Sequence, residues 1–413
     1  MADWQAIEGG VTAPQGFQAA GIAAGFKASG QPDLALILSE TEAIAAGVLT
    51  ASQVRAACVD DCHQRLQDRG LARAILCNAG QANAATGEGG RQDARESVRL
   101  AAEALGISPE AVLPASTGLI GERIPMAPMR RGMPQLVAAI SPQGSEAAAR
   151  AIATSDLATK SVALETEMDG RPVRIGGIAK GSGMIAPNMA TMLAFISCDA
   201  AVSRSLWQQM VARAAERSFN QVSIDGDTST NDALLALANG QSRTGAIVEP
   251  GPKAERLEAM LVAACQTLAR AIARDGEGAT CLIEVRVSGA PNDRAARQIA
   301  KTVVSSPLVK AATFGRDPNW GRIAAAAGRA GVPFDASALQ IALGDRLLLD
   351  GGQPVPFDRQ AASAYLQQAA AAPYLDGDTV TITLSLDEGS GQGVAWGCDL
   401  SYDYVRINAE YTT

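Results

Sequence analysis

Two strand-like runs, "SVALETE" at 161–167 and "RPVRIGGIA" at 171–179, are separated only by "MDG" at 168–170. So short a link returns the chain antiparallel to itself, because parallel neighbours need a crossover of a dozen residues or more. Asp-Gly also accepts the positive φ angles of a tight hairpin turn. Further strand-like runs are "DLALILSE" at 33–40, "RAILCNAG" at 73–80, "TMLAFIS" at 191–197, "ATCLIEVRV" at 279–287 and "TVTITLSL" at 379–386. Helices lie between them. In "RQDARESVRLAAEALG" at 91–106, Ala94, Val98, Ala101 and Leu105 share one face and Gly106 stands where a C-terminal cap belongs. The segments 203–219 and 253–276 read likewise. Strands and helices interleave, yet hairpins recur, so the expected class is α+β, with layered mixed or antiparallel sheets covered by helices rather than a doubly wound parallel sheet. No repeat, low-complexity stretch or linker marks a domain seam.

At 413 residues the chain supports a large core. It has 35 basic against 43 acidic residues and a formal charge of -8, with no basic stripe interleaved with aromatics, so no nucleic-acid partner is expected. The opening "MADWQAIEGGVTAPQG" has neither the basic nor the apolar region of a signal peptide, and no apolar run is long enough for a membrane helix. A cytoplasmic protein with no membrane partner is the expectation. Cys58, Cys62, Cys77, Cys198, Cys265, Cys281 and Cys398 are scattered and mostly set in apolar runs, which suits reduced core thiols. Cys58 and Cys62 beside His63 lack a second cluster to complete a metal site, so no metal is expected.

His63 is the only histidine, and its setting "VDDCHQRLQDR" reads as an exposed helix, which leaves little for a histidine-dependent nucleophile. The loop "GGIAKGSG" departs from the phosphate-binding Walker pattern. Chemistry without histidine is available to a hydroxyl residue that begins a chain, since its own α-amine titrates near neutrality and serves as general base. In "KGSGMIAPNMATMLAFISCDA" at 180–200, Thr191 would become such a residue if the Ala190–Thr191 bond were cut. Its Oγ1 can attack the Ala190 carbonyl, and β-branching limits χ1.

Other segments carry polar groups in places that suit chemistry. Ser116, Thr117 and Gly118 in "PASTGLIGERIP" offer a tight turn with a hydroxyl and a backbone N–H for an oxyanion. "SIDGDTSTNDALL" at 223–235 reads as an acidic loop leading into a helix that Asp or Asn would cap. Glu277 stands between two glycines just before a strand, and Arg316, Asp317 and Asn319 precede a helix of small residues. Singly, each is an ordinary turn.

Together these segments resemble the ornithine acetyltransferase family, the bifunctional glutamate N-acetyltransferases of arginine biosynthesis. "KGSGMIAPNMATMLAFISCDA" is similar to the family's self-processing motif and "ASTGLIGERIPM" to its oxyanion segment. "DGDTSTND", "DGEGAT", "GRDPNWGRI" and "RINAEYTT" are similar to further signatures, in order and over nearly the whole chain. The stretch "TASQVRAACVDD" at 50–61 departs from the family pattern.

The resemblance implies an αββα-type sandwich with a smaller α/β part toward the C-terminus. It implies self-cleavage between Ala190 and Thr191, giving an alpha chain of 1–190 and a beta chain of 191–413 that build one core and assemble as two of each. Thr191 would be the nucleophile and Thr117 and Gly118 the oxyanion hole, while Thr154, Lys180, Thr191, Glu277, Asn408 and Thr413 would bind substrate. The implied reaction moves an acetyl group from N-acetylornithine to glutamate through an acetyl-Thr191 ester, with no bound cofactor and with acetyl-CoA as a second donor. Two alternatives stay open: an aminopeptidase or amidase with an N-terminal nucleophile, and a non-catalytic metabolite-binding protein.

Overall fold

The computed structural model describes residues 3–185 and 192–410. Thr191, Ala190 and Thr413 lie outside them. Nine strands form the larger sheet. Eight run in the order Gln5–Ala6, Lys160–Met168, Arg171–Lys180, Leu193–Cys198, Ala233–Ala238, Leu34–Leu49, Leu71–Gln81 and Val112–Leu119, and Phe17–Ile22 also pairs with Leu34–Leu49. The expected hairpin is present, with Met168 opposite Arg171 and with Asp169 and Gly170 at φ +54° and +70°. These angles match the right-handed twist of the flanking strands.

Leu34–Leu49 is twice the length of the run read in the sequence. Residues 34–38 pair with Leu71–Gln81, residues 44–49 pair with Ala233–Ala238, and the register shifts between Leu38 and Ala43. A bulge of this kind bends a strand and raises its twist, so one strand serves two layers. Between the layers, Ile75, Cys77, Leu113 and Ala115 of one meet Ile178, Leu193, Phe195, Leu235 and Leu237 of the other. On one outer face, Val98 and Ala102 of the helix Gly87–Leu105 and Met129, Met133 and Leu136 of Met126–Ala138 cover Leu34, Leu36, Ala74 and Leu76. On the other, Trp207 and Met210 of Arg204–Glu216 and Leu257, Leu261 and Leu268 of Pro252–Arg274 cover Ile175, Ala194, Ile196 and Leu234. This is the expected helix–sheet–sheet–helix sandwich.

The helix Gly87–Leu105 ends as expected at Gly106, whose left-handed φ of +64° turns its N–H back to Ala102 and Glu103 carbonyls. Toward the C-terminus a seven-stranded sheet is ordered Gln353–Pro354, Arg346–Asp350, Gln340–Leu343, Thr379–Ser385, Leu282–Ala290, Gly391–Cys398 and Val222–Ser223. Its core is completed by Asp293–Val304, Trp320–Gly328 and Arg359–Ala371. Asn319 caps Trp320–Gly328 by accepting from the Arg322 N–H. One reading is corrected: the segment after "STND" is the central strand Ala233–Ala238, buried at all six positions, and no helix. All seven cysteines are buried free thiols. Among the described residues no helix is long and apolar enough to cross a membrane.

Candidate active site

Strand ends from both layers converge on one cavity of about 130 Å³. Thr117 and Gly118 arrive at the end of Val112–Leu119, Lys180 at the end of Arg171–Lys180, and Met192 and Asp232 at the starts of Leu193–Cys198 and Ala233–Ala238. Thr154, Ser155, Gly183, Ile185 and Asn231 complete much of the wall. Ile185 and Met192, the described residues on either side of 186–191, both line it.

Thr117 and Gly118 lie in extended strand rather than in the expected tight turn, which follows at 120–121. Gly118 sits at φ +128° opposite Gly80, and a Cβ there would stand 2.2 Å from the Gly80 carbonyl carbon. Only glycine lets the two backbones approach so closely. The Lys180 Nζ donates to Thr154 Oγ1 at 2.7 Å and to Thr117 Oγ1 at 3.3 Å. Because a lysine already occupies the acceptor side of the Thr117 hydroxyl, its O–H is left to donate. Behind it, Asn231 Nδ2 donates to the carbonyls of Ser116 at 2.8 Å and Ala82 at 2.6 Å, and Ser116 Oγ donates to Asn78 Oδ1 at 2.7 Å.

Glu277 is joined to the cavity wall through Ser155. Its Oε1 accepts from Ser155 Oγ at 2.9 Å and its Oε2 from Asn408 Nδ2 at 2.9 Å, while its own N–H donates to the Ser182 carbonyl at 2.8 Å. Ser155 and Ser182 hydroxyls are 2.7 Å apart. Among the described residues no cation lies within 4.0 Å of the Glu277 carboxylate and no carboxylate within 4.0 Å of the Lys180 ammonium. The Glu277 carboxylate and the Lys180 ammonium are thus each bonded to neutral partners.

Buried carboxylates fix the surrounding loops. Asp225 accepts from the N–H groups of Met184 at 2.6 Å and Ile185 at 2.8 Å, and burial pushes its carboxyl up despite these bonds. Asp156 is buried, which by itself would raise its carboxyl, but the charges of Lys160 and Lys180 and the bonds it accepts from Lys160 and Gly181 hold it well below the usual carboxylate range.

The structure therefore brings together Thr117, Gly118, Thr154, Lys180, Glu277 and Asn408, which lie far apart in the sequence. Thr191, Ala190 and Thr413 lie outside the described residues. Sequence reasoning missed Ser155, Ser182, Asn231 and Asp156. None had a legible signal: the four-residue spacing of Asp156 and Lys160 brings side chains together only on a helix, and residues 153–159 form a loop. His63 is exposed, 2.9 Å from the Gln67 amide nitrogen, and among the described residues no group of three metal-binding side chains forms around it or elsewhere.

Known proteins place this architecture. The arginine biosynthesis bifunctional protein ArgJ 1 of Nostoc sp. is 70% identical over the full length of both chains. The ArgJ protein of Synechocystis sp. is 67% identical over the same extent. The crystal structure of the ArgJ protein from Bacillus halodurans matches with 42% identity and a TM-score of 0.50, covering 54% of this chain and 100% of its own. Residues 18–413 match the ArgJ family, and the chain belongs to it.

Proposed function

We propose that this protein is an acetyltransferase of arginine biosynthesis that makes N-acetylglutamate by two routes, from N-acetylornithine and from acetyl-CoA. Identity of 67–70% to relatives named as bifunctional ArgJ proteins supports both activities. The observation that carries the mechanism is the meeting of Lys180, Thr154 and Thr117 hydroxyls at 2.7 and 3.3 Å beside Gly118.

In this reading the Ala190–Thr191 bond is cut, and Thr191 Oγ1 attacks the acetyl carbonyl of N-acetylornithine. The Thr191 α-amine takes the hydroxyl proton. The oxyanion is held by the Thr117 hydroxyl and the Gly118 N–H. Collapse breaks the C–N bond, and the departing ornithine amine takes the proton back. Glutamate's α-amine then attacks the ester, the C–O bond to Thr191 breaks, the Thr191 α-amine relays the proton of the attacking amine to Oγ1, and N-acetylglutamate leaves. Glu277, with no cation within 4.0 Å among the described residues, suits the charged end of ornithine, and Lys180 suits a substrate carboxylate. Thr154, Asn408 and Thr413 complete substrate binding.

No resident cofactor or metal takes part, and acetyl-CoA enters as a co-substrate. Two alpha and two beta chains form the assembly, and the enzyme works in the cytoplasm.

The test is acetylation of the 191–413 fragment. N-acetylornithine alone, and acetyl-CoA alone, should each add one acetyl group to it by mass, and glutamate should discharge it. Initial rates should give parallel double-reciprocal lines. Intersecting lines with no acetylated fragment would remove the ester from the mechanism, and hydrolysis indifferent to glutamate would favour an amidase.

A further inference from the structure

The ammonium of Lys160 lies between two carboxylates, 2.6 Å from Asp156 Oδ1 and 2.6 Å from Asp275 Oδ2, and the three side chains are 0%, 1% and 2% exposed. A buried ion group of this kind is weak evidence for stability, because the loss of hydration offsets much of the attraction between the charges. Its use is visible in the backbone that it binds. Asp156 also accepts from the N–H of Gly181 at 2.7 Å and, through Oδ2, from the N–H of Thr154 at 3.0 Å. Asp275 Oδ2 accepts from the Leu157 N–H at 3.0 Å.

Three chain segments are thereby joined: the loop from Thr154, the turn after the strand Arg171–Lys180, and the end of the helix Pro252–Arg274 two residues before Glu277. Each carries groups of the site, namely Thr154 and Ser155, Lys180 and Ser182, and Glu277. None of the three charged residues lines the cavity itself.

We propose that Asp156, Lys160 and Asp275 form a positioning unit for Lys180. Asp156 fixes the backbone nitrogens on both sides of the contact, that of Thr154 and that of Gly181, so Lys180 Nζ reaches the Thr154 and Thr117 hydroxyls together. Lys160 and Asp275 hold Asp156 in place from behind. A static error of an ångström at such a contact is enough to cost about 100-fold in rate. The inference rests on the reading of Lys180 as an active-site cation, and the experiment separates the two.

Asp156→Asn keeps the shape and one acceptor and removes the charge. In the otherwise native enzyme it should lower kcat about 10- to 100-fold; in a Lys180→Met background it should change kcat less than about twofold, because there is no ammonium left to aim. A merely structural triad would lower the melting temperature in both backgrounds alike and leave kcat unmoved below it. Equal falls in both backgrounds overturn the proposal, as does no fall in either. The reading of Lys180 fails separately, when Lys180→Met alone keeps native kcat. Turnover is counted per processed chain. For a variant that stays unprocessed, calorimetric titration with ornithine in the same two backgrounds decides by the same pattern. Asp275→Asn, on the far side of Lys160, is the second variant and should show the same background dependence with a smaller fall.

Discussion

Gly183 packs so closely under Glu277 that a Cβ on it would stand 2.6 Å from the carboxylate carbon and from both of its oxygens. The tight contact is with the end of a flexible side chain and not with backbone, so a methyl group there would move the carboxylate and leave the fold in place. Gly183→Ala should therefore raise the KM for N-acetylornithine about tenfold, the size of one misplaced polar contact, with a melting temperature within a few degrees of native. An unchanged KM would remove Glu277 from the donor subsite.

Thr117 has its acceptor side filled by Lys180 and its O–H free to donate. Thr117→Ala should lower kcat about 10²- to 10³-fold, the usual cost of losing one oxyanion donor, while KM moves little. Native kcat in that variant would leave the Gly118 N–H as the sole proposed donor and end the role given to the hydroxyl.

The cut is read by mass under denaturing conditions. The native protein should give two fragments, 1–190 and 191–413, and Thr191→Ala one intact chain. Splitting of that variant at the same bond would assign the cut to an outside protease.

Lys301 tests the electrostatics away from the site. Burial pushes its ammonium down to about 8, while its Nζ donates to the Asn220 carbonyl at 2.6 Å. A folded pKa below the unfolded value of 10.5 means that the folded state binds the proton less well, so the destabilisation from the buried charge is full and constant below about 8 and is relieved as pH rises from about 8 toward 10.5. The melting temperature of the native protein relative to Lys301→Met should accordingly climb between pH 8 and 10. A pH-independent difference would show that the burial is not felt by the charge.

Local chemistry made part of this molecule legible. The Asp-Gly turn required a hairpin, and Gly106 ended a helix, because each outcome depends on a few adjacent residues. Ala233–Ala238 was misread because "ALLALA" is buried on both faces in the middle of the sheet; a run without alternation reads equally as helix, and Ala and Leu favour that choice. The second half of Leu34–Leu49 was missed because exposed Glu40, Thr41 and Glu42 interrupt the apolar pattern at the bulge. In the site, Glu277 between glycines and the Ser-Thr-Gly segment stood out as unusual. Ser155 and Ser182 did not, because hydroxyls in loops are common and only their 2.7 Å approach across 27 residues gives them meaning.

The strand order of the larger sheet has a consequence for how a nicked enzyme would behave. Leu193–Cys198 and Ala233–Ala238 belong to the later half of the chain, yet they are flanked on one side by Arg171–Lys180 and on the other by Leu34–Leu49, both from the earlier half. A break before Thr191 would leave two polypeptides threaded through each other's hydrogen-bond ladders, unable to part without melting the sheet. Once melted, they would have to find each other again by diffusion. Recovery from denaturation would become second order in protein, and its yield would fall on dilution, although the intact precursor folds as a single molecule.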